Sequence, residues 1–304
     1  MNTSQKAYLQ HAGGIEKLVE MSGPHRYMEY PDHGYFLIAR PLIIGQAMFN
    51  RQPTFLDEPQ WNTIPWAKHP ETRTLNVQLS DIGAHIPRLY ADFGSVSARR
   101  SDIQPEAWTA TIFSLQQRLK KLVRDLCQWR KAWEQVYPAE AHAVPLDITQ
   151  SWIVSGSGEA LYDTVLKFQS FQAARTYSLW NVRIRTCLML GIKLGLQGPL
   201  VTVQPIDAPA TAPSISLRQL GDEYARLVDY FLLERHRTPG AYALMWGLRT
   251  IIIHFTFFKE DVKLRWAKDL YTKCLSVREG FALSADLPRT RIPGTGQLFE
   301  LLRS

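Results

Sequence analysis

Apolar positions recur along most of this chain at steps of three and four residues, the spacing of a helix with one buried face. Between Ser4 and Met21 the apolar members are Leu9, Ile15, Leu18 and Val19, and Gly23-Pro24 stops the run, which predicts a first helix ending there. From Tyr35 to Asn50 the chain is apolar almost all round with Pro41 inside it, so a kinked, buried helix is expected. Pro53, Pro59, Pro65 and Pro70 then punctuate a connector that also carries Phe55, Leu56, Trp61 and Trp66, side chains that should pin it to the body. The clearest stripe is Trp108, Ile112, Leu115, Leu119, Leu122, Leu126, Trp129, Trp133 and Val136, one amphipathic helix of about eight turns. Gln116, Arg118, Lys120, Lys121, Arg124, Asp125 and Arg130 fall on its charged outer face, and its three tryptophans suit an intramolecular core better than a coiled-coil seam.

The second half continues the pattern. A turn around Pro138 to Pro145 and a Ser155-Gly156-Ser157-Gly158 run precede a helical stretch from Glu159 to about Leu194, with Leu161, Val165, Phe168, Phe171, Trp180, Ile184 and Leu188 inside and Arg175, Arg183 and Arg185 at its polar edges. Gly198 to Pro213, rich in proline and alanine, reads as a flexible surface loop. Three more helices follow: Ser216 to Arg235, Ala241 to Phe258, and Glu260 to Glu279, the last closed by Gly280. No run of alternating strands and no fixed-period repeat stands out, so the expected class is all-α. The expected organisation is a single helical domain over residues 1–304. It comprises N-terminal helices and the Pro/Trp-rich connector to 100, two long helices over 101–197, the loop over 198–215, and C-terminal helices over 216–304.

Composition narrows the setting. With 304 residues and 45% hydrophobic content the chain can fill a sizeable core without staples. Cys127, Cys187 and Cys274 lie far apart inside apolar helical patterns and read as buried core thiols, not as a disulfide framework. The polar start from Met1 to Gln10 has no apolar run behind it and does not look like a secretory signal, so an intracellular, cytoplasmic or nuclear protein is expected. Ile251 to Phe258, the most apolar stretch, is too short to span a bilayer and is flanked by Arg249 and Lys259. The net charge of +7 favours weak attraction to polyanions, but the basic residues are dispersed. The tightest groups, Arg99-Arg100 and Arg118 with Lys120, Lys121 and Arg124, read as solvated helix faces or ends.

Motifs that bind cofactors are missing from the pattern. There is no P-loop, and Gly294-x-Gly296 lacks the third glycine and the preceding strand of a dinucleotide site. Gly156-Ser157-Gly158 does not have nucleophile-elbow spacing, and the eight histidines form no short pair that would put two metal ligands on one helix face. No aspartate-rich segment is present to hold magnesium against a diphosphate. No metal and no cofactor are therefore expected. What remains is aromatic abundance with a few polar groups: Trp152 with Tyr177, Trp180 and Arg183, and Tyr242 with Trp246, Arg249 and His254. Aromatic walls in a helical body hold a large apolar ligand, and an arginine, tyrosine or histidine fixes its polar end. Tyr177, Arg183, Arg249 and His254 are the candidate polarising, catalytic groups, and Trp152, Trp180, Tyr242 and Trp246 the candidate ligand-binding walls.

The order of weak motifs adds a resemblance. His11-x-x-Gly14 with Leu18 and Gly23-Pro24 comes first, then Pro53-x-Phe55-Leu56-x-x-Pro59-x-Trp61, Pro65-Trp66, and Asp81-Ile82-Gly83-x-x-Ile86-Pro87-x-Leu89. Arg265-Trp266 and Gly280-Phe281 follow towards the end of the chain. This series resembles the fungal-specific transcription factor domain, the helical regulatory region of fungal zinc-cluster regulators. The resemblance implies an all-helical fold, a fungal origin and an internal effector site. Members of that family also carry a six-cysteine, two-zinc cluster that docks a helix on DNA, which three scattered cysteines do not build, so direct DNA binding is not expected. Two functions then stand side by side. One is a ligand-holding body repurposed as a cofactor-independent cyclase or isomerase of fungal secondary metabolism, closing a ring on a hydrophobic substrate by conformational control and hydrogen bonding. The other is a regulator acting through a homodimer or another protein partner, or a truncated zinc-cluster transcription factor.

Overall fold

The computed structural model describes residues 3–233 and 236–279, with side chains from residue 13 onward except 237, 238, 242 and 276–279. Helices dominate, in the order α1 (Thr3–Ser22), α2 (Asp32–Asn50), α3 (Leu75–Ala98), α4 (Pro105–Val136), α5 (Phe171–Lys193), α6 (Leu217–Arg226), α7 (Val228–Phe231), α8 (Arg237–Phe257) and α9 (Asp261–Glu279). A two-stranded antiparallel sheet, β1 (Ala141–Pro145) with β2 (Thr164–Phe168), makes the fold mainly helical instead of purely so. Its register pairs Ala141 with Phe168 and Pro145 with Thr164. Among the described residues no helix is long and apolar enough to cross a membrane. Backbone contacts gather into two compact units. Of the described residues, those up to 133 together with 187–200 form one, and those over 134–186 and from 201 onward form the other.

In the first unit the connector between α2 and α3 is a series of 3₁₀ turns, and Phe55, Leu56, Trp61 and Trp66 are buried as its composition requires. They join Tyr27, Phe36, Ile43 and Ala84 in one core cluster. Three of the turns carry a proline, which pre-sets φ for a tight turn, in their first two positions: Pro59, Pro65 and Pro70. The apolar faces of α1 and α2 are narrower than their composition suggests. Leu18 is 68% exposed, and Tyr35 and Ile38 also face outward, so α2 buries one side, through His33, Phe36, Ala39, Arg40, Ile43, Ile44, Gln46 and Ala47. The α4 stripe is buried from Leu115 to Trp133 as expected. Arg130, expected on its outer face, is buried with its guanidinium 5.7 Å from the Trp133 ring.

The second unit departs further from the sequence pattern. Helix α5 starts at Phe171, with the Ser170 hydroxyl accepting from the Ala173 N–H at 3.2 Å, and the residues before it form β2. The expected flexible loop after α5 is irregular but anchored. Val201, Val203 and Ile215 are buried, and the Ile215 N–H donates to the Val203 carbonyl at 2.8 Å. Ser216 caps α6 with a full capping box to Gln219. Lys259, at φ 57°, turns the chain between α8 and α9, which form an αα-hairpin. All three cysteines are buried, and none of them is joined in a disulfide. The proposed stop at Gly280 lies outside the described residues.

Candidate functional site in the core of the second unit

Three helices of the second unit place polar side chains in its core. On α5, Tyr177, Asn181 and Arg185 recur every four residues and so share one face. All three are fully buried. Glu223 and Tyr224 come from α6, Thr250 and His254 from α8. The Tyr177 hydroxyl donates to Glu223 Oε2, and the Ile206 N–H donates to Glu223 Oε1 at 2.7 Å, so this carboxylate is held by a phenol and a backbone amide. Arg185 Nε donates to Asn181 Oδ1 at 2.7 Å and its Nη2 to Thr250 Oγ1 at 2.9 Å. Asn181 in turn donates to the Leu220 carbonyl at 2.9 Å. The Arg185 guanidinium lies 5.0 Å from the Tyr224 ring.

Two glycines allow α6 and α8 to exchange side chains at this point. A Cβ on Gly221 of α6 would stand 2.1 Å from His254 Nε2, and a Cβ on Gly247 of α8 would stand 1.6 Å from the Tyr224 hydroxyl. Each helix thus receives the ring of the other against bare backbone. The Tyr224 hydroxyl uses this approach to donate to the Leu244 carbonyl at 3.2 Å.

The electrostatics of the cluster are unusual. Burial pushes the Arg185 guanidinium down to about 10, opposed in part by Tyr224, and no carboxylate of the described residues acts on it. Its Nη1 is buried without a hydrogen-bond partner. His254 is fully buried, and among the described residues neither ring nitrogen makes a well-formed hydrogen bond, the Arg218 backbone being its one polar neighbour. Burial, followed by the positive charges of Arg185, Lys263 and Arg218, drives its pKa down to about 2. The imidazole is therefore neutral at physiological pH. It cannot shuttle protons there, but it can donate one hydrogen bond and accept another. With the Arg185 guanidinium near enough for its charge to act on the imidazole, the arrangement suits an acceptor-bearing group such as a carboxylate or a carbonyl oxygen.

The residues singled out from the sequence divide in this frame. Tyr177 and His254 belong to the cluster, and Trp180 packs on Tyr177 with ring centroids 5.5 Å apart, itself fully buried. Arg183 is buried too, although the pattern put it at a polar edge, but two residues along a helix it points well away from Arg185. Trp152 has other neighbours. Its N–H donates to Asp229 Oδ1 at 2.8 Å, its carbonyl accepts from Trp266 Nε1 at 2.7 Å, and Lys273 Nζ lies 5.8 Å from its ring. Arg249 is half-buried and lowered by burial, with Tyr271 of α9 opposing that shift. Trp246 is half-buried, and the side chain of Tyr242 lies outside the described residues. Sequence reading missed Asn181, Arg185, Glu223 and Thr250. The signal was present in the Tyr177-x-x-x-Asn181-x-x-x-Arg185 spacing, which marks a polar stripe on an otherwise apolar helix. Among the described residues no group of three or more His, Cys, Asp or Glu side chains is placed to hold a metal ion.

Comparison with known proteins adds little to this geometry. No family model matches the chain, and no solved structure matches it. A segment of 62 residues, 20% of the chain, is 31% identical to an uncharacterized protein of Emericella nidulans, and the chain spans 13% of that relative's length.

Proposed function

We propose that this chain is an effector-binding helical protein whose second unit takes the acidic or carbonyl head of an apolar small molecule between Arg185 and His254. One observation carries the reading: among the described residues a wholly buried guanidinium has no carboxylate acting on it and an Nη1 without a hydrogen-bond partner, and its charge reaches a buried imidazole that has the Arg218 backbone as its one polar neighbour. A buried polar group without a partner costs about 1–3 kcal/mol, and more when charged. An occupant bringing acceptor oxygens would offset that cost. Tyr177, Trp180 and Tyr224 supply apolar surface around the head group. The resemblance to the regulatory domain of fungal zinc-cluster regulators points the same way. The same donors would polarise a bound carbonyl, so a turnover product of unchanged mass would extend the reading to a cofactor-independent cyclase or isomerase.

The test compares decanoate with decanol on the parent chain and on Arg185→Met. Decanoate should raise the thermal midpoint of the parent and decanol should not. Arg185→Met should lose the decanoate response yet melt no lower than the parent, because exchanging an uncompensated buried charge for an apolar side chain is often neutral or stabilising. Retention of the decanoate response in Arg185→Met would remove the site. No response of the parent, with a sharply destabilised variant, would make Arg185 a structural residue and end the proposal.

A further inference from the structure

The first unit holds a second group of buried donors that the site above does not use. His33, Phe36 and Arg40 line one face of α2 and are fully buried or nearly so. Against them the 3₁₀ connector places Trp61, Trp66 and His69, and α3 places Asp81. Arg40 Nη2 donates to Asp81 Oδ1 and reaches Asn62 Oδ1 at 3.5 Å. The guanidinium lies 5.2 Å from the Trp66 ring centroid and 5.5 Å from that of Phe36. Among the described residues its Nε and Nη1 have no hydrogen-bond partner, and neither has the indole N–H of Trp66, although all three atoms are buried. His33, in contrast, is bonded on both nitrogens, to the Tyr27 carbonyl at 2.9 Å and to Thr72 Oγ1 at 2.8 Å, and serves as framework.

Charge completes the picture. Asp81 also accepts from Arg73 at 3.0 Å, so two guanidiniums share one carboxylate and a net positive charge is left over. Arg73 is exposed and His69 half-buried, which puts the outer edge of the group on the connector. Irregular turns of this kind can be displaced without breaking a long helix.

We propose that this group is a binding site for a small aromatic carboxylate, held by Arg40 and the Trp66 indole N–H against the rings of Phe36 and Trp66. The carboxylate neutralises the surplus charge and accepts from donors that otherwise have no acceptor. The ring stacks where the aromatic faces already gather. This site is independent of the one around Arg185.

Titration calorimetry of the full chain with benzoate at low salt tests it, with benzyl alcohol as the uncharged control. Benzoate should bind and benzyl alcohol should not. Trp66→Phe keeps the ring and removes one donor, and should weaken benzoate about three- to tenfold. Arg40→Lys keeps the charge and loses the fork, and should weaken it about tenfold or more. Measured again in the Arg185→Met background, where the carboxylate site proposed for the second unit is removed, benzoate binding should keep its dependence on Arg40 and Trp66; binding lost with Arg185 and not with Arg40 would assign benzoate to the second unit and overturn the inference. Absence of benzoate binding to the parent would overturn the inference, and so would affinity unaltered in folded Trp66→Phe.

Discussion

At the scale of single residues, the fully buried His254 makes the sharpest claim. Its folded pKa lies near 2, well below the usual value of 6.5, so the folded protein holds it neutral while the unfolded chain protonates it as pH falls. Between about pH 6.5 and pH 2 the unfolded state therefore binds more protons, and stability contributed by this group is complete above that window and declines through it. At pH 5 the loss should be about 2 kcal/mol relative to pH 8. Urea unfolding of the parent and of His254→Leu at both pH values checks this. The variant should show a pH dependence smaller by about that amount, and equal slopes would mean that the imidazole is not held neutral. That a histidine sits in this apolar stretch could be read from the sequence. Its neighbour Arg185 could not be chosen over Arg183, because helical spacing gives the angle between two residues and not which of them faces the core.

At the scale of elements, legibility followed the length of the periodic signal. The α4 stripe spans so many turns that only one face can be apolar, and it was read with nearly correct limits. The β1–β2 hairpin was missed because Leu161, Val165 and Phe168 also fit helical steps of four and three, and a five-residue strand is too short to contradict them. A lone hairpin is marginal by itself. This one is held by Val165, Leu166 and Phe168, which are buried, with Phe168 within 5.8 Å of Tyr177 and 5.5 Å of Tyr230. The packing of α6 on α8 was equally hidden, since nothing in a glycine says what approaches it. Gly247→Ala should destabilise the protein by about 1–3 kcal/mol through overpacking against the buried Tyr224 hydroxyl. Gly240→Ala should cost at least as much, because its Cβ would meet the Phe231 backbone carbonyl, which has less freedom to move. Chemical denaturation of both variants measures this, and a neutral Gly247→Ala would show that α6 and α8 do not pack as described. Ser216→Ala, which removes the capping box, should cost about 1 kcal/mol.

At the scale of the whole molecule, the surplus of basic residues is the property most easily misread. Seven net positive charges invite a nucleic-acid reading, yet many of the cations are already engaged. In the first unit Arg88 pairs with Asp57, Arg118 with Asp92 and Lys121 with Asp125. In the second, Arg218 pairs with Glu260, Arg226 with Asp207, and Lys263 with Asp222 and Glu260. Arg40, Arg130, Arg183 and Arg185 are buried and offer nothing to a phosphate backbone. Each cation held in a pair or in the core is one fewer to displace counterions, so the attraction to DNA should be weaker than the formal charge suggests. The expected result in a filter-binding titration is equal, weak retention of unrelated duplexes at about 50 mM salt, lost by about 200 mM. A duplex retained selectively at the higher salt would require base contacts, because backbone attraction alone is screened equally for every sequence. That outcome would favour direct DNA recognition over the ligand-binding function proposed above.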